Sequence, residues 1–289
     1  MENNPRIGIV GNGFVGQAIA NAFVLTTSVK IYDKDLRKSV NSLEQTIQDS
    51  DVIFMCLPTP MNISDKNKID LSIIESCFRE IIDLKTDLSK KVFVIKSTVV
   101  PGTTKAMKQK FEKTRIVFNP EFLTERSANL DFINATRIVL GGDAEDCQLV
   151  ADLYKSRFPY KKIIKTDSQT AEFVKYVCNC FFATKVSFMN EMFQLSDKLN
   201  LDWSAVLEGF ITDGRVGNSH LDVPGHDGLK GFGGKCFPKD VNAMINFYLE
   251  NNLNPTILSA AWQKNLEVRE TKDWEQIDGA TSRKEKKEK

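Results

Sequence analysis

Six residues near the start of the chain, Gly11-Asn12-Gly13-Phe14-Val15-Gly16, limit what it can fold into more than any other segment. An apolar run, Arg6 to Val10, precedes them, and a helical pattern from Gly16 to Leu25 follows. Strand, glycine turn and helix in that order build a phosphate-binding turn. Gly11 permits the tight bend, Gly13 lets the backbone approach a pyrophosphate, and Gly16 lets helix and strand pack closely. The helix N-terminus then faces the phosphates. Asp33 ends the next apolar run, 22 residues beyond Gly11, where an acid bonds ribose hydroxyls. The predicted cofactor-binding residues here are Gly11, Asn12, Gly13, Phe14, Val15, Gly16, Asp33 and Lys38. A carboxylate at Asp33 repels a 2′-phosphate, which predicts NAD over NADP, with Lys34 and Lys38 as the opposing charges.

Further short runs rich in Val, Ile and Phe lie at Val29 to Tyr32, Asp51 to Leu57, Val92 to Lys96 and Arg115 to Phe118, then at Arg137 to Leu140 and Lys162 to Ile164. They are strand-length, and helical patterns such as Leu71 to Ile82 separate them. This alternation predicts an α/β fold over residues 1–165, a Rossmann-like, doubly wound parallel sheet with helices on both faces. The character changes after Lys165. Thr166-Asp167-Ser168-Gln169 fits a capping box, and a long helix is expected to run to about Leu199. Its apolar positions include Phe173, Val177, Phe181, Phe188, Met192 and Leu195, too many for one stripe, so burial on more than one side is expected. A second, all-helical dimerisation domain over 166–270 follows, with a Gly-rich loop from Gly214 to Gly234. Residues 271–289 are read as a polar, charged, solvated tail.

The 289 residues carry 39 basic against 38 acidic side chains, which gives no electrostatic case for nucleic-acid binding. No run reaches the ~18 apolar residues of a membrane span. The N-terminus lacks the apolar region of a signal peptide, so a cytoplasmic protein with no membrane partner is expected. With two histidines, no metal site is predicted. Five of the six cysteines read as small buried hydrophobes. Cys236 differs. It lies in Gly231-Phe232-Gly233-Gly234-Lys235-Cys236-Phe237-Pro238-Lys239-Asp240, where Pro238 suits the first turn of a helix. A thiol just before a helix N-terminus and beside Lys235 and Lys239 is placed to form a nucleophilic thiolate. Lys175 and Asn179 are four apart on the long helix and share a face. Glu121 and Glu125 have the same spacing after Asn119-Pro120, which reads as a helix start.

From Ile7 to about Arg269 the chain resembles the UDP-glucose 6-dehydrogenase family, within the wider UDP-glucose/GDP-mannose dehydrogenases. The resemblance rests on the glycine turn, Leu57-Pro58-Thr59-Pro60, Lys96-Ser97-Thr98-Val99, Asn119-Pro120-Glu121-Phe122-Leu123, Thr170-Ala171-Glu172-Phe173-Val174-Lys175-Tyr176, Arg215-Val216-Gly217-Asn218 and the cysteine decapeptide, in that order. It implies NAD-dependent oxidation of UDP-glucose to UDP-glucuronate through a thiohemiacetal and a thioester on Cys236. Lys175 and Asn179 would hold the developing oxyanion. Glu121 would serve acid–base work in thioester hydrolysis, and Thr98 with Asp240 would orient water. Thr59, Ser97, Thr98 and Glu125 would lie at the cofactor. Phe122, Leu123, Gly231, Phe232 and Gly233 would line the substrate, and Arg215 would reach a neighbouring subunit's sugar in a homodimer. The family usually continues into a nucleotide-gripping third domain, so a short form lacking it is expected. Ala135 stands where the family has proline. Sibling activities on GDP-mannose or UDP-N-acetylmannosamine share the catalytic set. A non-catalytic dimeric NAD-binding module and a two-domain 3-hydroxyacid dehydrogenase are the other readings.

Overall fold

The computed structural model describes residues 5–112 and 114–282. The chain divides into two units, residues 1–59 with 71–175, and residues 60–70 with 176–289. The division falls at residue 175, inside the long helix, where the sequence placed it at 165. The short excursion at 60–70, which nothing in the sequence marked, belongs to the second unit.

The apolar runs become β1 (Ile7–Val10), β2 (Val29–Tyr32), β3 (Val52–Met55), then β4 (Met61–Asn62) and β5 (Lys68–Ile69) in the excursion, and β6 (Val92–Ile95), β7 (Arg115–Phe118), β8 (Arg137–Gly141) and β9 (Lys162–Thr166). The helices between them are α1 (Phe14–Phe23), α2 (Leu43–Gln48), α3 (Ser72–Asp83), α4 (Thr103–Lys110), α5 (Ala128–Asn134) and α6 (Ala144–Arg157). The first unit holds a seven-stranded sheet of order β2-β1-β3-β6-β7-β8-β9. Successive strand residues point to opposite faces. Ile9, Phe54, Val94 and Val117 therefore enter one core, and Val10, Ile53, Phe93 and Ile116 enter the other. Helices cover both, as the doubly wound reading requires.

One pairing departs from the parallel expectation. β7 and β8 are antiparallel, meeting at Phe118 and Gly141, while β8 and β9 are again parallel. A parallel return needs a helix crossing the sheet. Here the connection holds an irregular stretch and then α5, a short helix packed on α1.

The long helix is α7 (Ser168–Lys198), 31 residues. Its cap is Asp167, one residue later than the expected Thr166. The Asp167 carboxylate accepts from the Thr170 amide at 2.9 Å and from the Thr170 hydroxyl at 2.6 Å. Ala171, Tyr176 and Ala183 are fully buried. Phe173, Val177, Phe181, Phe188, Met192 and Leu195 are exposed, contrary to the expected burial on several sides. They recur at helical spacing and form one uncovered stripe.

In the second unit α8 (Trp203–Ile211), α9 (Phe237–Glu250) and α10 (Thr256–Val268) follow. Among the described residues the unit also holds a three-stranded sheet, β10 (Thr281–Ser282) with β4 and β5. That sheet corrects the reading of 271–289 as a solvated tail. Trp274 is 3% exposed and packs with Met61, Ala280 and Trp262, and β10 pairs with β4. One tryptophan and two strand residues order the stretch to Ser282 in spite of its polar composition. Residues 283–289 lie outside the described residues. No helix among the described residues is long and apolar enough to cross a membrane.

Candidate active site

At the glycine turn, Gly11 adopts φ +100°, and a Cβ there would lie 2.4 Å from the Cys56 carbonyl oxygen. A Cβ at Gly16 would lie 2.1 Å from the Gly11 carbonyl oxygen. The protein itself therefore demands glycine at both positions. Gly13 is different, since a Cβ there would meet nothing within 4 Å. No side chain caps α1, and the buried Asn12 Oδ1 has no hydrogen-bond partner among the described residues. Open space and uncapped helix amides fit a dinucleotide pyrophosphate. Asp33 accepts the Asn12 amide at 2.6 Å and the Asp35 amide at 2.8 Å. The Asn12 side chain holds the Lys38 carbonyl at 2.6 Å. Thr59 donates to the Thr98 carbonyl at 2.9 Å, and Ser97 to the Leu57 carbonyl. These contacts tie together the loops leaving β3 and β6, at the carboxyl edge where open α/β sheets bind ligands.

Beside them in the first unit lies a buried ion pair. Lys175 Nζ donates to Glu121 Oε1 at 2.9 Å and to the Glu121 carbonyl at 2.6 Å; the two side chains are 4% and 9% exposed. Burial works to raise the Glu121 pKa. The Lys175 charge and hydrogen bond, the Leu123 amide and the charge of Lys96 outweigh it and hold the carboxyl below its ordinary range. The expected helical face of Glu121 and Glu125 is absent. Residues 119–124 are irregular, and Glu125 is exposed on a 3-10 turn, Glu125–Ser127. Asn119 precedes proline, which disfavours helical backbone, and its side chain donates to the Val139 carbonyl at 2.7 Å. The Leu123 amide, expected at the substrate, donates to Glu121 Oε2 at 2.7 Å. The Phe122 ring lies 5.5 Å from Lys175 Nζ and 4.5 Å from the Arg137 guanidinium.

Sequence reasoning did not single out Lys96, Asn119 and Tyr154 as a group. Lys96 and the Tyr154 hydroxyl both donate to Asn119 Oδ1, at 2.9 and 2.6 Å. Burial pushes the Lys96 ammonium down to about 8. A lysine closing an apolar strand was the available signal.

In the second unit Cys236 occupies the N-cap of α9 with Pro238 in the first turn, and it is half-buried. No disulfide joins any of the six cysteines. Burial pushes the Cys56 and Cys77 thiols up to about 12, Cys147 up to about 11, and Cys180 above its ordinary range. Asp240, one turn into α9, is fully buried. It accepts from Asn179 Nδ2 and, at 2.6 Å, from Lys239 Nζ. Backbone groups expected at the substrate are already engaged. The Gly231 amide donates to Asn190 at 3.0 Å, and Asn265 holds the Phe232 amide at 2.6 Å and its carbonyl at 3.0 Å. Arg215 is 89% exposed and forks onto Asp213.

The profile of the UDP-glucose/GDP-mannose dehydrogenase family, NAD binding domain, matches residues 24–158, and the profile of the family's central domain matches 169–267. The chain belongs to this family. The UDP-glucose 6-dehydrogenase of Campylobacter jejuni is 31% identical over 294 residues, covering 90% of this chain and 72% of that protein. UDP-glucose 6-dehydrogenase TuaD of Bacillus subtilis is 35% identical over 212 residues, covering 71% of this chain. The match spans only 44% of the Bacillus protein's length. A solved UDP-glucose dehydrogenase of Pyrobaculum islandicum superposes with TM-score 0.80 at 28% identity, over 91% of this chain and 68% of that one. Family membership makes NAD the cofactor. The matched stretch begins after the glycine turn, so the fit of that turn rests on the geometry above.

Gly13→Ala fills space that only a ligand uses, so calorimetry is expected to show NAD binding weakened about tenfold or more, or ~1.4 kcal/mol, with thermal stability unchanged. Gly16→Ala is expected to destabilise the fold itself. Lys175→Met strands the Glu121 carboxylate and is expected to cost about 3–5 kcal/mol in urea unfolding at neutral pH. Because the Glu121 pKa is depressed on folding, the pair stabilises above the ordinary value of 4.5 and loses that contribution as pH falls. The gap between variant and wild type should therefore narrow in acid, where Glu121 protonates.

Proposed function

We propose that the chain carries the catalytic part of an NAD-dependent dehydrogenase that oxidises the C6 alcohol of UDP-glucose to the carboxylate of UDP-glucuronate. One observation carries this reading: Cys236 caps α9, one turn before a buried Asp240 that is bonded to Asn179, itself one turn from Lys175 on α7. A simple alcohol dehydrogenase has no use for such a thiol. NAD, held at the Gly11 to Gly16 turn and Asp33, would supply the hydride acceptor for each of two oxidations of the sugar carbon.

The chain's own residues supply the rest. The Lys175 ammonium and the Asn179 amide stabilise negative charge developing on the C6 oxygen. Once the alcohol has become an aldehyde, the Cys236 thiolate adds to its carbon, and the oxygen takes a proton to give a thiohemiacetal. That tetrahedral carbon can release its remaining hydrogen as hydride as its hydroxyl gives up a proton, and this oxidation leaves a thioester on Sγ. Glu121, ionised at neutral pH through Lys175, accepts a proton from the water that attacks the thioester carbonyl. The C–S bond breaks, and the acid and the Cys236 thiolate are released. Asp240, fixed by Asn179 and Lys239, and Thr98 orient that water.

The uncovered stripe on α7 suits a second copy of the chain, since a monomer rarely exposes so many large apolar residues along one helix. In this reading Arg215 serves the neighbouring protomer's substrate.

With NADH followed at 340 nm, UDP-glucose is expected to give two NADH per sugar, and GDP-mannose and UDP-N-acetylmannosamine little. Cys236→Ser is expected to abolish acid formation. Faster turnover of either other sugar would reassign the substrate, and full acid formation by the variant would remove Cys236 from the mechanism. Phe181→Glu places a charge in the α7 stripe, and light scattering is expected to show a dimer becoming a monomer; a monomeric wild type would refute the pairing.

A further inference from the structure

The loop leading to Cys236 contains no regular structure, and Gly231 and Gly234 adopt φ +70° and +73°. Something must hold such a loop if the thiol is to meet a carbon in one geometry. Asn190 and Asn265 fix its first half, as described above. The second half is held from residues that sequence reading had assigned to a solvated tail. Asp273 Oδ2 accepts the Gly234 amide at 2.8 Å, two residues before Cys236. Asp273 Oδ1 accepts from Arg269 Nη2 at 3.0 Å. The Arg269 side chain is 1% exposed and also bridges to Asp227 Oδ2 at 2.8 Å. Space is filled as well, since a Cβ on Gly233 would lie 2.2 Å from both Arg269 Nη2 and Asp273 Oδ1. Asp273 is itself immobilised by its neighbour Trp274, buried with Met61, Ala280 and Trp262.

We propose that Asp273, braced by Arg269, is a positioning residue that fixes the Cys236 loop for reaction. The inference rests on the reading of Cys236 as the nucleophile. Asp273 acts through the Gly234 amide. A carboxylate is needed because its two oxygens serve two donors at once, the guanidinium and the amide. An asparagine offers one acceptor oxygen, so one donor is left without its bond while Trp274 keeps its place.

The test uses the full-length chain with Asp273→Asn and Asp273→Glu. In Asp273→Asn, kcat for the nucleotide sugar is expected to fall about 10- to 100-fold, the effect of a displaced reacting group, with KM held within about threefold. Hydrogen exchange at the Gly234 amide should accelerate by about tenfold or more. The pH profile of Cys236 alkylation by iodoacetamide, read by peptide mass, should shift. NAD affinity should stay unchanged, and Asp273→Glu, which keeps two acceptors, should recover part of kcat. Should Asp273→Asn fail to fold, Asp273→Glu and exchange at Gly234 in the wild type carry the test. An unprotected Gly234 amide in the wild type overturns the proposal. A folded Asp273 variant with wild-type exchange, alkylation and kcat also overturns it. Failure of the functional reading looks different: Cys236→Ser would keep turnover, while the exchange and alkylation results would still report on the clamp.

Discussion

An ionised side chain buried without a partner destabilises a fold by several kcal/mol, and the first unit buries Lys96, Glu121, Glu172 and Lys175 among its charged side chains. Each is tolerated because specific partners surround it, and those partners dictate local structure. Glu172 takes the Gly102 and Thr104 amides and so caps α4, which has no side-chain cap of its own. Burial raises the Glu172 pKa, and these amides only partly offset it. Lys175, one turn on, takes Glu121. The two residues differ by three positions on α7 and so lie on one face of the helix. That face is thereby bound both to the loop after β6 and to the segment after β7. A site built this way has its geometry set by the requirement that buried charges be matched.

The strands were legible because Val, Ile and Phe in short runs have few other ways to be buried. The glycine turn was legible because it depends only on local steric demands. The direction of β8 was not, since strand orientation depends on how a connection is routed and leaves no mark on the strand's own residues. The Glu121 and Glu125 spacing misled for a related reason. Periodicity signals a helix only where the backbone is free to form one, and there Asn119, Pro120 and the pull of Lys175 decide otherwise.

The second unit shows the same limit more sharply. Cys236, Pro238 and Asp240 were readable in the sequence because they lie within a few residues of each other. Asn190, Asn265 and Arg269, which hold the loop before them, come from α7, α10 and the residue after it. Asn190 and Asn265 hold backbone groups of glycine and phenylalanine, which carry no sequence signal, and Arg269 pairs with Asp227 and Asp273. The polar stretch after Arg269 hid a buried tryptophan because composition averages over neighbours, whereas packing responds to a single large ring.

The pairing of Met61 with Thr281 joins residues far apart along the polypeptide. Closing so long a loop carries a large entropic penalty before its contacts give anything back, and such nonlocal pairings form slowly. The second unit is therefore not a continuous stretch that folds as it leaves the ribosome. Its small sheet waits for Thr281 and Ser282 while β4 and β5 already exist with an unpaired edge. A fragment beginning at residue 176 would lack those strands, and Trp274 would lose Met61. Dissecting this chain into independent halves would break the second half first, and circular permutation or segment grafting must respect the 60–70 excursion.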